Sequence, residues 1–124
     1  MAGKIIADTI ETGAGADIST SYVVEGVAKH WVRFIGSGTA AILDSLSASS
    51  LTDNGTGDYT IAITNSMNNV NYGLLIGESD WRCIGPSGSG ALTTSDYDIL
   101  SRYPSNATAL DAEVTSTGIH GDLA

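Results

Sequence analysis

The chain has one cysteine, Cys83, so no intrachain disulfide can form. A lone thiol suits a protein assembled in a reducing cytoplasm. Cations are scarce: Lys4, Lys29, Arg33, Arg82 and Arg102 stand against 14 acidic residues, for a net charge of −9. That balance excludes the clustered Lys and Arg needed to hold a nucleic-acid backbone or an anionic membrane surface. The acidic residues are dispersed and read as a solvated surface. Large apolar side chains are also few, with one Phe (Phe34) and two Trp (Trp31 and Trp81). Each such side chain contributes about 1.5–3 kcal/mol when fully buried. A 124-residue chain this poor in them makes one domain with a thin core, and an oligomer or docked subunit is expected from that alone. No run approaches the ~20 apolar residues of a membrane span. The opening MAGKIIADTIE lacks the apolar stretch of a secretion signal, so a soluble protein made in a cytoplasm is expected.

What is present is alternation. Residues 4–11 alternate weakly, Thr12–Asp17 is a glycine-bearing break, and Tyr22-Val23-Val24 reads as a short strand ended by Gly26. Short strands joined by glycine cannot bury themselves. Residues 1–26 are therefore an arm that either crosses to a neighbouring subunit or lies along its own body. From His30 the pattern tightens, with Trp31, Arg33 and Ile35 on one face and Val32 and Phe34 on the other. Residues 39–51 read as one long bent strand, or as two strands with a bulge, because the serine run disfavours a helix interior. Asp53–Asp58 supplies an Asn-Gly hairpin turn, and Tyr59, Ile61 and Ile63 then form a half-buried strand. Val70–Ile76 alternates again, with Trp81–Ile84 as its expected hairpin partner. Residues 85–95 read as a low-complexity loop. Tyr97 and Ile99 mark a strand, and Leu110, Ala112 and Val114 mark another with a wet face. The expected fold is all-β: a small antiparallel β-sandwich or jelly-roll-like body over 27–124, with an extended N-terminal arm over 1–26.

Reactive residues do not gather into a catalytic pattern. Cys83 with His30 or His120 lacks an elbow, a spacing and an orienting carboxylate, so Cys83 reads as a small buried hydrophobe and His30 as a packed or surface residue. One Cys and two distant His do not make a zinc site. Asp53, Asn54 and Asp58 depart from the calcium-loop spacing, and turn chemistry accounts for them. Gly85–Gly90 lacks the ending of a phosphate-binding loop. Asp96 and Asp98 lie on one strand face rather than across a cleft. No catalytic residue, metal or cofactor is therefore expected, and the chain does not read as an enzyme. Trp31 and Trp81 read as core or interface anchors. With Ile5, Ile6, Ile10, Tyr22 and Val24 of the arm, Trp31 makes up the candidate interface.

Three runs carry a resemblance: Lys29-His-Trp-Val-Arg-Phe34, Gly38-Thr-Ala-Ala-Ile-Leu-Asp-Ser-Leu46, and Ser49-Ser-Leu-Thr-Asp-Asn-Gly-Thr-Gly-Asp-Tyr-Thr-Ile61. Together they resemble a β-module of tailed-bacteriophage virion proteins, many of them labelled tail-fibre proteins of marine phages. Lys4–Glu11 resembles the segment preceding that module. Gly118–Asp122 is similar to its terminal strand, with His120 where an aromatic is usual. Residues 65–117 match weakly, so the resemblance covers about half the chain. It implies a virion structural protein without a catalytic site. Neither a rod nor a coiled coil separates Met1 from the sandwich, which favours a capsid decoration (cement) protein that docks on the major capsid protein and stabilises the lattice. The family expectation for such a protein is a homotrimer, located on the virion. The alternative is a short tail-fibre or receptor-binding protein whose loops, Gly85–Ser95 above all, contact a host surface glycan.

Overall fold

A computed structural model describes residues 6, 7, 9–11 and 13–124. The chain runs β1 (Thr9–Glu11), β2 (Asp17–Ser19), α1 (Thr20–Gly26), β3 (Ala28–Ile35), β4 (Ala41–Leu46), β5 (Ala48–Gly55), β6 (Asp58–Ile63), β7 (Gly73–Glu78), β8 (Cys83–Pro86), β9 (Asp96–Arg102) and β10 (Thr115–His120). The body is a β-sandwich of two four-stranded antiparallel sheets, ordered β4-β3-β10-β7 and β5-β6-β9-β8. Their inner faces meet in one core of Val32, Phe34, Tyr59, Ile61, Ile63, Tyr97, Ile99 and Ile119, extended by Met67, Tyr72 and Ala112. Alternation delivers these residues: in β6 and β9 every second side chain is buried, and in β3 His30, Val32 and Phe34 point inward while Trp31 and Arg33 point out. Phe34 packs on Tyr59 with ring centroids 5.3 Å apart.

Residues 39–51 form two strands that belong to different sheets. Ser47, between β4 and β5, takes φ 61°, a left-handed conformation uncommon for serine. Its surroundings hold it there. Its carbonyl accepts from Thr64 N at 2.8 Å and from His30 Nδ1 at 3.1 Å, and its hydroxyl accepts from Asn65 N at 3.3 Å. The β5–β6 hairpin turns at Thr56-Gly57, not at Asn54-Gly55 as expected: those two residues end β5 in a bulge of the ladder, where Asp53 Oδ1 accepts from Gly55 N at 3.0 Å. Two glycines are required by close approach. A Cβ on Gly36 would collide with the Tyr59 hydroxyl. One on Gly57, at φ +70°, would stand 2.6 Å from Ser101 O.

Three expectations are corrected. Tyr22-Val23-Val24 lies in helix α1, where Ser19 caps the first turn by accepting from Ser21 N at 3.3 Å. This local cap outweighs the strand preference of two valines. Trp81–Ile84 is not the partner of β7. The chain crosses at 79–82 to the second sheet, where β8 pairs with β9, while β7 pairs with β10. Residues 110–114 form no strand; they are an irregular segment that tucks Ala112 into the core. The last strand, β10, lies between β3 and β7. Within 4–11 the described strand is Thr9–Glu11, and Lys4, Ile5 and Asp8 lie outside the described residues. No helix among the described residues is long and apolar enough to cross a membrane.

Candidate interaction surfaces

The polar centre of the molecule is internal. His30, fully buried on β3, reaches across the sandwich to Tyr97 on β9, with Nε2 2.8 Å from the Tyr97 hydroxyl. Its Nδ1 faces the Ser47 carbonyl, which can only accept, so Nδ1 carries the proton and Nε2 accepts from Tyr97. The Tyr97 hydroxyl closes the chain on Thr117 Oγ1 of β10. Burial pulls the His30 imidazole below its ordinary pKa, with a smaller opposing effect from the Ser47 carbonyl. Burial likewise pushes the Tyr97 phenol up. A neutral histidine with both nitrogens bonded inside a core joins the two sheets and has no free atom for substrate.

A second buried group fastens the far end. Arg82 pairs with Glu78 at 3.6 Å, and both side chains are nearly buried. Its guanidinium also donates to the Asp111 carbonyl. Burial raises the Glu78 carboxyl, and Arg82 opposes that rise. Asp111 Oδ1 in turn accepts from Gly57 N at 2.8 Å and from the Tyr59 hydroxyl at 3.4 Å. The Tyr59 phenol is pushed up to about 12, chiefly by burial. These contacts lash the irregular 109–112 segment over the open end of the core. Nothing in the alternation of Arg82 or Asp111 announced this, because each bond links segments far apart in sequence.

The oxygen-bearing loops are occupied by their own turns. Asn54 Nδ2 donates to Thr60 Oγ1 at 2.8 Å, Thr60 donates to Asp98 Oδ1 at 2.5 Å, and Thr93 donates to Asp96 Oδ1 at 2.9 Å. No group of three His, Cys, Asp or Glu among the described residues is placed to hold a metal. Cys83 is exposed on edge strand β8, not buried as expected, since β8 turns its thiol outward opposite Arg102. A cleft of ≈ 420 Å³ lies where α1 meets the body, lined by Glu25, Asn69, Asn71, Tyr72, His120 and Asp122. There His120 Nδ1 donates to Gly26 O at 2.7 Å, tying the arm to the end of β10.

Two exposed surfaces carry large apolar side chains, the arm and the outer face of the first sheet. Every described residue of β1 and β2 is exposed, and α1 has no buried residue. Of the candidate interface residues, Ile6, Ile10, Tyr22 and Val24 stand free on the arm. Ile10 lies opposite Ile18 in the β1–β2 ladder, so both project from one side of the hairpin. Trp31 is not in the core. It is 37% exposed on the outer face of the first sheet, and Trp81, 91% exposed, is not a core anchor either. Trp31 falls on the outward phase of a strand whose inward phase is taken by His30, Val32 and Phe34.

The register places Leu46, Trp31, Gly118 and Leu75 in one row across that outer face, with Leu43 brought outward by the bulge that separates Ile42 from Asp44 in the ladder. The neighbouring row runs Asp44, Arg33, Ser116, Gly77. The outer face of the second sheet is polar by contrast, with Thr52, Thr60 and Asp98 in register. Sequence reading missed Ile18, Leu43, Leu46 and Leu75 as surface residues. The bulge hides the phase of β4, and only the pairing of β10 with β3 and β7 aligns the row. Compared with protein-family models, curated proteins and solved structures, the chain has no match.

Proposed function

We propose that this chain is a structural protein of a bacteriophage virion, a capsid decoration protein that docks on the major capsid lattice and stabilises it, most simply as a homotrimer. The observation that carries the reading is the division of the molecule. The buried His30–Tyr97–Thr117 chain joins sheet to sheet, while β1, β2 and α1 bury no described residue and leave Ile10, Ile18 and Tyr22 exposed. An arm of two three-residue strands and a seven-residue helix is too short to be stable alone. It gains its stability against another subunit. The resemblance of residues 29–64 to a tailed-phage virion module supplies the setting. The role is non-catalytic and takes no cofactor, nucleic acid or membrane as partner.

A second reading, a short tail-fibre or receptor-binding protein that contacts a host surface glycan, is favoured by one observation. Trp81 stands almost fully exposed in the β7–β8 connection, as a sugar-stacking platform would. Cryo-electron microscopy of the particle separates the two. Many copies over the shell are expected from decoration. A few copies at the tail support the second reading, and absence from the particle overturns both.

A further inference from the structure

One buried acid is left out of the hydrogen-bond scheme. The Glu78 side chain is 4% exposed, yet neither of its carboxyl oxygens has a hydrogen-bond partner among the described residues. Thr115 stands opposite it in the β7–β10 ladder, so the two side chains share a face, and Thr115 Oγ1 is buried and unpartnered as well. A carboxylate taken out of water needs hydrogen bonds as well as a counter-charge. Glu78 has the counter-charge only in part. Arg82 Nη1 lies 3.6 Å from it but donates to the Asp111 carbonyl, Nη2 turns to Asp80 Oδ2 at 3.2 Å, and Nε has no partner among the described residues. One guanidinium is divided between two carboxylates and a carbonyl.

The same guanidinium holds down the irregular 109–112 segment. Beyond Arg82, that segment is fastened by Gly57 N on Asp111 Oδ1 at 2.8 Å, by Ala112 N on the Tyr59 hydroxyl at 3.1 Å, and by Gly36 N on Ala112 O at 2.9 Å. Ser79 N donates to Val114 O at 3.0 Å, which lays the continuation of the segment beside Glu78. The charged and titratable groups around Glu78 are few. Its own connection brings Arg82 and Asp80, the covering segment brings Asp111 with its carboxylate turned to Gly57 and Tyr59, and β6 brings the Tyr59 phenol. Glu113 is exposed, and β10 brings the uncharged Thr115. With the segment down, the Glu78 carboxyl is shut from water; with it lifted, the carboxyl is hydrated. A neutral carboxyl favours the first arrangement and a carboxylate the second.

We infer that Glu78, Arg82 and the 109–112 segment form a proton-operated clasp: a proton taken from solvent by Glu78 holds the segment down over the end of the core, and its return to solvent makes lifting more frequent. The Glu78 carboxyl is raised accordingly, chiefly by burial, with Arg82 opposing the rise and Asp80 adding to it. An acid raised in this way contributes its stability fully below the ordinary value of 4.5 and loses it as pH rises through its own higher value. The clasp therefore works against His30, whose contribution is lost as pH falls. It belongs to the single chain and holds whether or not the chain assembles on a particle.

The test uses purified full-length chain, wild type and Glu78→Gln. The Glu78 carboxyl carbon is titrated by NMR. Hydrogen exchange, corrected for its intrinsic pH dependence, is followed at the Gly57, Ala112 and Gly36 amides, with amides of β6 and β9 as reference. In the wild type Glu78 is expected to titrate above 4.5. Protection of the three amides is expected to fall by up to about tenfold per pH unit between 4.5 and that midpoint, then level off, while the reference amides do not follow. Glu78→Gln is expected to lack this fall. Asp111 and His30 are present in both proteins, so the difference between them belongs to Glu78. Titration at or below 4.5 overturns the inference, as does the same pH dependence in a folded Glu78→Gln, or a fall shared equally by the reference amides. If Glu78→Gln does not fold, the wild type decides alone: the pH at which protection levels off must coincide with the Glu78 midpoint, and a mismatch overturns the clasp.

Discussion

Tyr97→Phe removes a single oxygen from the centre of the sandwich and should be disproportionately damaging. The ring stays, so no cavity forms, but two buried groups lose their partner at once. His30 Nε2 loses the donor at 2.8 Å, and Thr117 Oγ1 loses the bond that links β10 to β9. Both residues are within a few per cent of complete burial, so water does not replace the hydroxyl. Leaving one buried polar group unpaired costs about 1–3 kcal/mol, and the two together, after some relaxation, about 2–4 kcal/mol. Unfolding entropy near 2.1 cal/mol/K per residue makes 1 kcal/mol about 4 °C in a chain of 124 residues, so the midpoint should fall by about 8–15 °C. Urea unfolding with an unchanged m-value should give the same loss. The cost should shrink by at least about 0.5 kcal/mol in a Thr117→Val background, where one orphan has already been removed. A loss below about 0.5 kcal/mol in the single variant would refute the view that this bond chain holds the sheets together.

His30 also gives the fold an acid limit. The unfolded histidine takes up its proton near pH 6.5, and the buried one only at lower pH. Its contribution is therefore complete above 6.5 and is lost as pH falls through that value toward the folded pKa, at up to about 1.4 kcal/mol per pH unit. Stability measured across that window should show this slope in the wild type and not in His30→Gln. Gly36→Ala should cost about 1–3 kcal/mol by pressing a methyl onto the Tyr59 hydroxyl, whereas Gly77→Ala should stay within about 0.5 kcal/mol; equal effects in chemical denaturation would contradict the close approach at Gly36. Trp31→Ala should lower the stability of the monomer by about 1–2 kcal/mol, less than the ~3–5 kcal/mol of a buried aromatic, because its ring lies on the outer face. A loss in the larger range would place that ring inside.

The body was legible wherever one face of a strand is wet. Tyr59-Ile61-Ile63 and Val32-Phe34 declare their inward phase directly, and the glycine-bearing run 53–58 declares a hairpin between β5 and β6, though it turns two residues later than Asn54-Gly55 suggests. Legibility failed where the chain changes sheet. Nothing local distinguishes a strand that continues past Leu46 from one that turns at Ser47, since the corner is held by His30 and Thr64 from elsewhere. The same holds for Trp81–Ile84, which sits close to β7 in sequence but pairs with β9. In α1 the cap at Ser19 was readable in principle, but the valines that follow it speak for a strand. The candidate surfaces were half legible. Ile6, Ile10, Tyr22 and Val24 were singled out because the arm's short segments cannot bury themselves, and Trp31 because large aromatics are scarce, while Leu75 and Gly118 join Trp31 only through the register of β10.

That register governs how the molecule comes into being. β10 stands between β3 and β7, with Trp31 opposite Gly118, so the first sheet has a vacancy at its middle until residue 120 has been made. The chain passes between sheets after β4, β6, β7 and β9, so neither sheet is a contiguous stretch that could form first. On the ribosome the hairpin β5–β6 can close early, but the sandwich must wait, with Val32 and Phe34 uncovered, for its central strand to emerge. Loop closure over most of the chain makes that last step slow. Nascent copies held close together are then exposed to exchanging β10 with one another before each has filled its own gap.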